Sequence, residues 1–391
     1  MAEAFLCDAV RTPIGRFGGA LASVPAVDLG IAAARASLTR AGIAPDAVDQ
    51  TILGHARQAG CGPNGARQVS VRAGIPVDKP AYAINQACLS GMQAILAAAR
   101  AIRAGEAEVV LAGGMESMSR VPFALDARWG TRMGNIEAAD LMSRDGFLDP
   151  LSGKIMGETA ETLARQYRIP RAEQDEFAAL TQNRCEAARR AGRFDDEIVA
   201  VEVKSGKAVA TVVRDEHPRD GVTAASLSTL TPVFETGGTV TAGNSSGITD
   251  GAAAMLVMSE GAARRLGVAP QARIVGWRVD GVAPEIMGIG PVPAVRHLLA
   301  ATGVALPAID LVELNEAFAA QVLAVDRELA FDRTRLNVNG GAIALGHPIG
   351  CSGARIVVTL LHELNRRKGR YGLATLCVSG GMGGALLLER A

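Results

Sequence analysis

Short apolar runs alternate with longer amphipathic stretches along almost the whole chain. Runs such as TILG (51–54), VVLAGGME (109–116), LVEL (311–314) and TLCV (375–378) have strand length and are bounded by glycine or polar residues. Between them lie Ala- and Leu-rich stretches with helical spacing, among them MQAILAAARAIRAG (92–105) and ARIVVTLLHEL (354–364). Strand-length and helix-length segments in turn predict an α/β fold with mostly parallel sheets.

The pattern repeats. Ala41-Gly-Ile-Ala-Pro-Asp-Ala-Val-Asp49 returns as Thr302-Gly-Val-Ala-Leu-Pro-Ala-Ile-Asp310, each time before a short apolar run. Ser90-Gly91 opens one helical run and Ser352-Gly353 another, and VVLAGGME is echoed by TLCVSGGMG (375–383). Three matches at a nearly constant offset of roughly 260 positions predict two related halves. In the second half the glycine pair runs straight into a last strand, GALLLE (384–389), whereas the matching strand of the first half, GAAAMLVMS, starts only at Gly251. The first half therefore carries an insertion of roughly 130 residues, rich in charged helical segments, of the kind that covers a site. The expected division is 1–118 completed by 250–265, an inserted domain over 119–249, and a second half over 266–391.

Composition narrows the functional classes. Forty basic and forty acidic residues leave no net charge, which removes the footprint of a nucleic-acid or anionic-membrane binder. No window reaches the ~18 apolar residues of a membrane span, and no basic-then-apolar leader is visible at the start. The six cysteines lie far apart with no zinc-type spacing, so no metal is expected. Reduced thiols and a cytoplasmic location follow.

Four places carry candidate chemistry. Cys88, in Asn85-Gln-Ala-Cys-Leu-Ser-Gly, stands at the start of a predicted helix, where the dipole and free N–H groups favour thiolate. A packed, inert thiol is the competing reading. His347 lies in the glycine-dense turn Gly346-His-Pro, before the helix that the duplication pairs with the Cys88 helix. If the two helix starts face each other, His347 comes within reach of Cys88; a solvated loop histidine is the alternative. Cys377 ends a strand ahead of Ser379-Gly-Gly, whose backbone N–H groups could receive an oxyanion. Asn315-Glu316 follows LVEL at a strand's carboxyl end; Asn315 could fix a water or cap a helix, and Glu316 could orient a histidine. No G-x-G-x-x-G opens a helix, so a dinucleotide site is not expected.

These motifs, in this order, resemble the thiolase family: NQACLSGMQAI, GGMESMS, NEAFA, GGAIALGHPIGCSG and CVSGGMG, with DAVRTPIGRFGGAL near the start and TAGNSSGITDGAAAMLVMSE in the middle. The resemblance covers essentially the whole chain. It implies a duplicated, layered αβαβα core with an inserted loop domain. It implies an acyltransferase that joins two acetyl-CoA molecules, or cleaves a 3-ketoacyl-CoA, through an acyl-cysteine. In that reading Cys88 is the nucleophile, His347 its base, Cys377 the acid/base at the acetyl Cα, and Asn315 the holder of a water beside the thioester oxygen. The backbone N–H groups of Cys88 and Ser379 form a second oxyanion hole. Coenzyme A, as a substrate and not a resident cofactor, is expected on Arg219, Phe234, Ala242, Ser246, Gly247, Met287, Ala317 and Phe318.

Two positions depart from the family's usual pattern. Ile155-Met-Gly stands where acetoacetyl-CoA thiolases commonly have His-Met-Gly, which removes an imidazole from the pantetheine region. Ser379 stands where glycine is usual; if that position requires φ > 0, the oxyanion hole is displaced. Arg128-Trp-Gly-Thr-Arg-Met-Gly resembles a tetramerisation loop, so a homodimer or homotetramer is expected. The alternatives are a thiolase for longer or substituted chains, a decarboxylating ketosynthase, and a non-catalytic lipid carrier; the last would be expected to lose Cys88, His347 or Cys377.

Overall fold

The computed structural model describes residues 2–206 and 208–391. In the first half, β1 (Ala4–Arg11) leads to α1 (Ala26–Ala41), β2 (Gln50–Gly54), α2 (Gly65–Ala73), β3 (Ala81–Ile84), α3 (Ser90–Ala104) and β4 (Val109–Ser117). The intervening segment carries α4 (Met156–Gln166) and α5 (Arg171–Arg190), and the chain returns as β5 (Thr249–Ser259). The second half runs β6 (Ala272–Gly281), α6 (Pro291–Thr302), β7 (Leu311–Leu314), α7 (Ala319–Leu329), α8 (Ile349–Arg367), β8 (Tyr371–Val378) and β9 (Met382–Arg390).

The strands order as β3-β2-β4-β5-β1 in one half and β7-β8-β9-β6 in the other. A single parallel bridge from Val312 to Leu336 occupies in the second half the place that β3 holds in the first. Among the described residues the half-sheets join only at β1 and β6, where Phe5 faces Arg273 and Leu6 faces Ala272. Most pairings are antiparallel, which corrects the expectation of mostly parallel sheets; β2–β3, β2–β4 and β7–β8 are the parallel ones. The reason lies in the connections. From β8 the chain turns through Ser379, Gly380 and Gly381 directly into β9, and a parallel neighbour would need a crossover of a dozen or more residues. Both glycines sit at φ 84, the left-handed conformation this turn requires.

Apolar packing separates the layers. α3 and α8 lie against each other between the two half-sheets, with Met92, Ile95, Leu360 and Leu361 fully buried. α1 and α2 cover the outer face of the first half, and α6 and α7 that of the second. Burial of each large side chain contributes about 1.5–3 kcal/mol. The segment between β4 and β5 is tied back by a buried charge cluster. The Arg11 guanidinium donates to Glu197 at 2.6 Å and to Asp215 at 2.6 and 2.9 Å, and all three residues are buried. Among the described residues no helix is long and apolar enough to cross a membrane. All six cysteines are free.

The central helices cross at their first turns, where both are reduced to glycine. A Cβ on Gly91 would lie 2.8 Å from Ala354 N, and one on Gly353 would lie 2.5 Å from Met92 N. Backbone meets backbone here, so nothing flexible can yield. We predict that Gly353→Val lowers stability by about 1–3 kcal/mol or more, read as a lower urea midpoint. An unchanged midpoint would show that the crossing is loose.

Candidate active site

The close crossing sets two helix starts side by side, and each carries a candidate residue. Cys88 lies in the turn between β3 and α3, partly open to a cavity. The residue before it, Ala87, is held at φ 44, a left-handed conformation that alanine avoids. Local bonds hold it there. The Ala87 N–H donates to Asn85 Oδ1 at 3.0 Å, while Ser90 Oγ accepts from Gln86 N at 2.9 Å and donates to Ala87 O at 2.6 Å. Burial pushes the Cys88 thiol up; the Arg57 guanidinium and the N–H groups of Ser379 and Cys88 itself act in the other direction.

His347 precedes α8, its N–H donating to Gly247 O at 3.0 Å. Its Nε2 lies 3.3 Å from Cys88 Sγ and its Nδ1 lies 2.5 Å from Ser352 Oγ. Ser352 Oγ also lies 3.0 Å from Pro348 O. With its one proton directed there, its oxygen accepts from Nδ1–H and Nε2 is the free base facing the thiol. Burial, reinforced by Arg355 and Arg57, depresses the His347 pKa to about 3. Both shifts favour a neutral pair, S–H beside imidazole, over an ion pair.

Asn315 follows β7 and is fully buried, with Nδ2 3.5 Å from His347 Nε2 and Oδ1 unpartnered. It caps nothing, because the next helix, α7, starts only at Ala319 with Phe318 as its N-cap residue. Glu316 does not orient a histidine. Its carboxylate accepts from Thr181 Oγ1, Asn337 Nδ2 and the Ile343 N–H, and so fastens the 337–343 loop beneath the site. The orienting group is Ser352, inside the quoted GCSG motif but assigned no role from sequence.

Cys377 ends β8, buried, with its thiol pushed up by burial and by the neighbouring Cys88. Ser379, the first residue of the following turn, is not in the positive-φ region; Gly380 and Gly381 are. Serine is accommodated without strain, and the displacement expected from losing glycine has no cause. The other unforeseen residue is Glu116 at the end of β4. Its buried carboxylate accepts from the N–H groups of Arg57 and Gly350 at 3.1 and 2.9 Å, and from Ala56 at 3.3 Å. It thus ties the Arg57 loop to the first turn of α8. Burial raises its pKa to about 7.

Cys88, His347, Cys377 and Ser379 open on one cavity of about 520 Å³, and all eight residues expected to hold coenzyme A line it too. Its middle is apolar: the rings of Phe234 and Phe318 stand edge to face at 6.1 Å, and Ile155 adds to the wall. Arg219 is exposed at the mouth, and Ser246 donates its N–H to Ala317 O at 3.0 Å. The described residues contain no cluster of three His, Cys, Asp or Glu able to hold a metal. A thiol beside a neutral base, an N–H pair facing its sulfur and a second thiol form the equipment for acyl transfer.

Comparison with known proteins agrees. Residues 4–261 match the thiolase N-terminal domain and residues 268–390 the thiolase C-terminal domain. The chain is 50% identical over 385 residues to an acetyl-CoA acetyltransferase of Rhizobium meliloti (strain 1021), covering 98% of each. The crystal structure of the Bacillus anthracis acetyl-CoA acetyltransferase superposes with a TM-score of 0.98 at 47% identity, over 100% of this chain and 99% of that one. Human mitochondrial 3-ketoacyl-CoA thiolase in complex with CoA superposes with a TM-score of 0.96 at 44% identity, over 100% and 98%. The chain belongs to the thiolase family and is an acyltransferase.

Two outcomes follow. Ser352→Ala leaves the His347 tautomer unfixed and should slow acylation roughly tenfold, the worth of one hydrogen bond; an unchanged rate removes Ser352 from the site. Because Cys88 is held above and His347 below its ordinary range, inactivation by iodoacetamide should keep accelerating from pH 7 to pH 9. A plateau at or below pH 7 would mean a preformed ion pair.

Proposed function

We propose that this protein is an acetyl-CoA C-acetyltransferase, joining two acetyl-CoA or cleaving acetoacetyl-CoA with CoA. The observation that carries the reading is the 3.3 Å approach of His347 Nε2 to Cys88 Sγ on a cavity that also contains Cys377. Coenzyme A lies along that cavity, its nucleotide end near Arg219 and its pantetheine arm beside Ser246, Gly247 and Phe318. No resident cofactor is needed.

Each bond change is accompanied by a proton transfer or a developing charge that a named group meets. His347 Nε2 takes the thiol proton as Cys88 Sγ attacks the thioester carbonyl. The N–H groups of Cys88 and Ser379 receive the oxyanion; each such donor supplies roughly 3 kcal/mol. Cys377 gives its proton to the departing CoA sulfur. A thiol whose pKa is pushed up is a strong base once it has lost that proton, so Cys377 then removes an α-proton from the second acetyl-CoA. The resulting enolate oxygen is met by protonated His347 and by a water on Asn315. Attack of the enolate on acetyl-Cys88 releases acetoacetyl-CoA, and His347 returns its proton to the Cys88 sulfur. Two thiols are required because one is occupied by the acyl group while the other works on carbon.

A second reading, thiolysis of longer 3-ketoacyl-CoA esters, draws on Ile155, which makes the wall apolar where an imidazole is common. The chain is proposed to divide at 1–118 with 250–265, 119–249 and 266–391, and to work in the cytoplasm. A dimer of dimers would cover Trp129 and Met133, which are 92% and 91% exposed.

Purified enzyme should release acetyl-CoA from acetoacetyl-CoA plus CoA; turnover of only longer 3-ketoacyl-CoA esters would favour the second reading. Cys377→Ala should slow deuterium exchange into the acetyl group of acetyl-CoA by about 10²–10⁴-fold, the usual contribution of a positioned acid/base. Normal exchange would remove Cys377 from its assigned step.

A further inference from the structure

The turn that delivers His347 leaves a buried carbonyl without a partner of its own. Ala342–Leu345 makes a single helical turn, and the chain then passes through Gly346, at φ 99, to His347. In a continuing helix Ala344 O would accept from the N–H of residue 348, but residue 348 is proline and has none. The His347 N–H, which could close a tighter turn on the same carbonyl, goes instead to Gly247 O at 3.0 Å. Ala344 is fully buried, so its carbonyl needs a donor from elsewhere.

His217 supplies that donor. Its Nδ1 lies 2.8 Å from Ala344 O, and because a carbonyl only accepts, Nδ1 carries the proton. Burial, aided by the Arg219 charge, pushes the His217 pKa down, so the neutral ring makes this bond. The other side of the ring is seated on Gly247, where a Cβ would collide with Nε2. One imidazole therefore touches both backbone segments that hold His347. It donates to Ala344, just ahead of the base, and packs on the glycine whose carbonyl receives the base's N–H. The segment carrying His217 is pinned on either side. Asp215 accepts from the Arg11 guanidinium at 2.6 Å and from the Ile14 N–H at 2.8 Å, and the Arg219 N–H donates to Gln182 Oε1 at 3.1 Å.

We propose that His217 is a positioning residue for His347: its hydrogen bond to Ala344 O and its packing on Gly247 set where the catalytic imidazole stands relative to the Cys88 sulfur. The proposal rests on the acyltransferase reading above. His217 also lines the catalytic cavity and a neighbouring one of about 320 Å³ that Arg219 borders. A role confined to the coenzyme's wall has a different consequence, weaker binding with unchanged chemistry.

The test follows single-turnover acetylation of Cys88 by acetyl-CoA, without free CoA, over a range of acetyl-CoA concentrations. This separates the saturating rate from the half-saturating concentration. His217→Leu should lower the saturating rate roughly tenfold, the worth of one hydrogen bond, while the half-saturating concentration moves by less than about threefold. His217→Asn places an amide N–H near the position of Nδ1 and should recover most of that rate. His217→Gln, whose amide falls near the position of Nε2, should not. The comparison of Asn with Gln decides the matter even if the leucine variant does not fold. An unchanged saturating rate in His217→Leu, a loss confined to the half-saturating concentration, or equal rates for the Asn and Gln variants would overturn the proposal. If wild-type enzyme is not acetylated on Cys88 at all, the acyltransferase reading itself fails.

Discussion

The crossing of the two central helices is the constraint on which the rest depends. Gly91 and Gly353 let the first turns of α3 and α8 meet backbone to backbone, with no side chain between them. Cys88 lies just before one helix and His347 just before the other, so this contact sets the distance between sulfur and imidazole. Duplication makes the arrangement economical: each half contributes one equivalent helix start, and their pseudo-symmetric meeting produces a pair that neither half contains alone. The outer helices and the two half-sheets hold that crossing in place, and the segment anchored by Arg11, Glu197 and Asp215 closes over it.

Burial then decides the chemistry. Both members of the pair are pushed towards their neutral forms, Cys88 upwards and His347 downwards to about 3. A neutral imidazole is available as a base throughout the physiological range, and charge develops only when a substrate is in place. In the proposed reaction the N–H groups of Cys88 and Ser379 receive that charge without having to reorganise. Glu116 belongs to the same design. It fastens the Arg57 loop to the start of α8, so the buried guanidinium and the histidine keep a fixed relation.

Much of this was legible in the sequence because it depends on local signals. Paired glycines after apolar runs, serine-glycine helix openings and a near-constant offset were enough to expose the duplication and to single out Cys88, His347, Cys377 and Asn315. Strand direction was not legible. A short loop such as Ser379-Gly-Gly signals a hairpin, but the alternation of apolar runs and helices suggested parallel pairing. Side-chain partnerships were missed for a different reason. Thr181 lies 135 positions from Glu316, and Gly350 lies 234 from Glu116. Glu316, adjacent in sequence to Asn315, was expected to serve a histidine and serves a loop instead. Arg57 had no local signal at all: its charge acts on Cys88, Glu116 and His347, all distant from it in sequence.

The central claim is that the crossing creates a nucleophilic Cys88 activated by His347. The most direct measurement is intact mass and peptide mapping after exposure to acetyl-CoA with free CoA removed. The account predicts one added acetyl group, confined to the peptide containing Cys88, and a much slower addition in His347→Ala with Cys88 intact. An acetyl group on Cys377 or another residue, or undiminished acetylation of Cys88 without the imidazole, would contradict it.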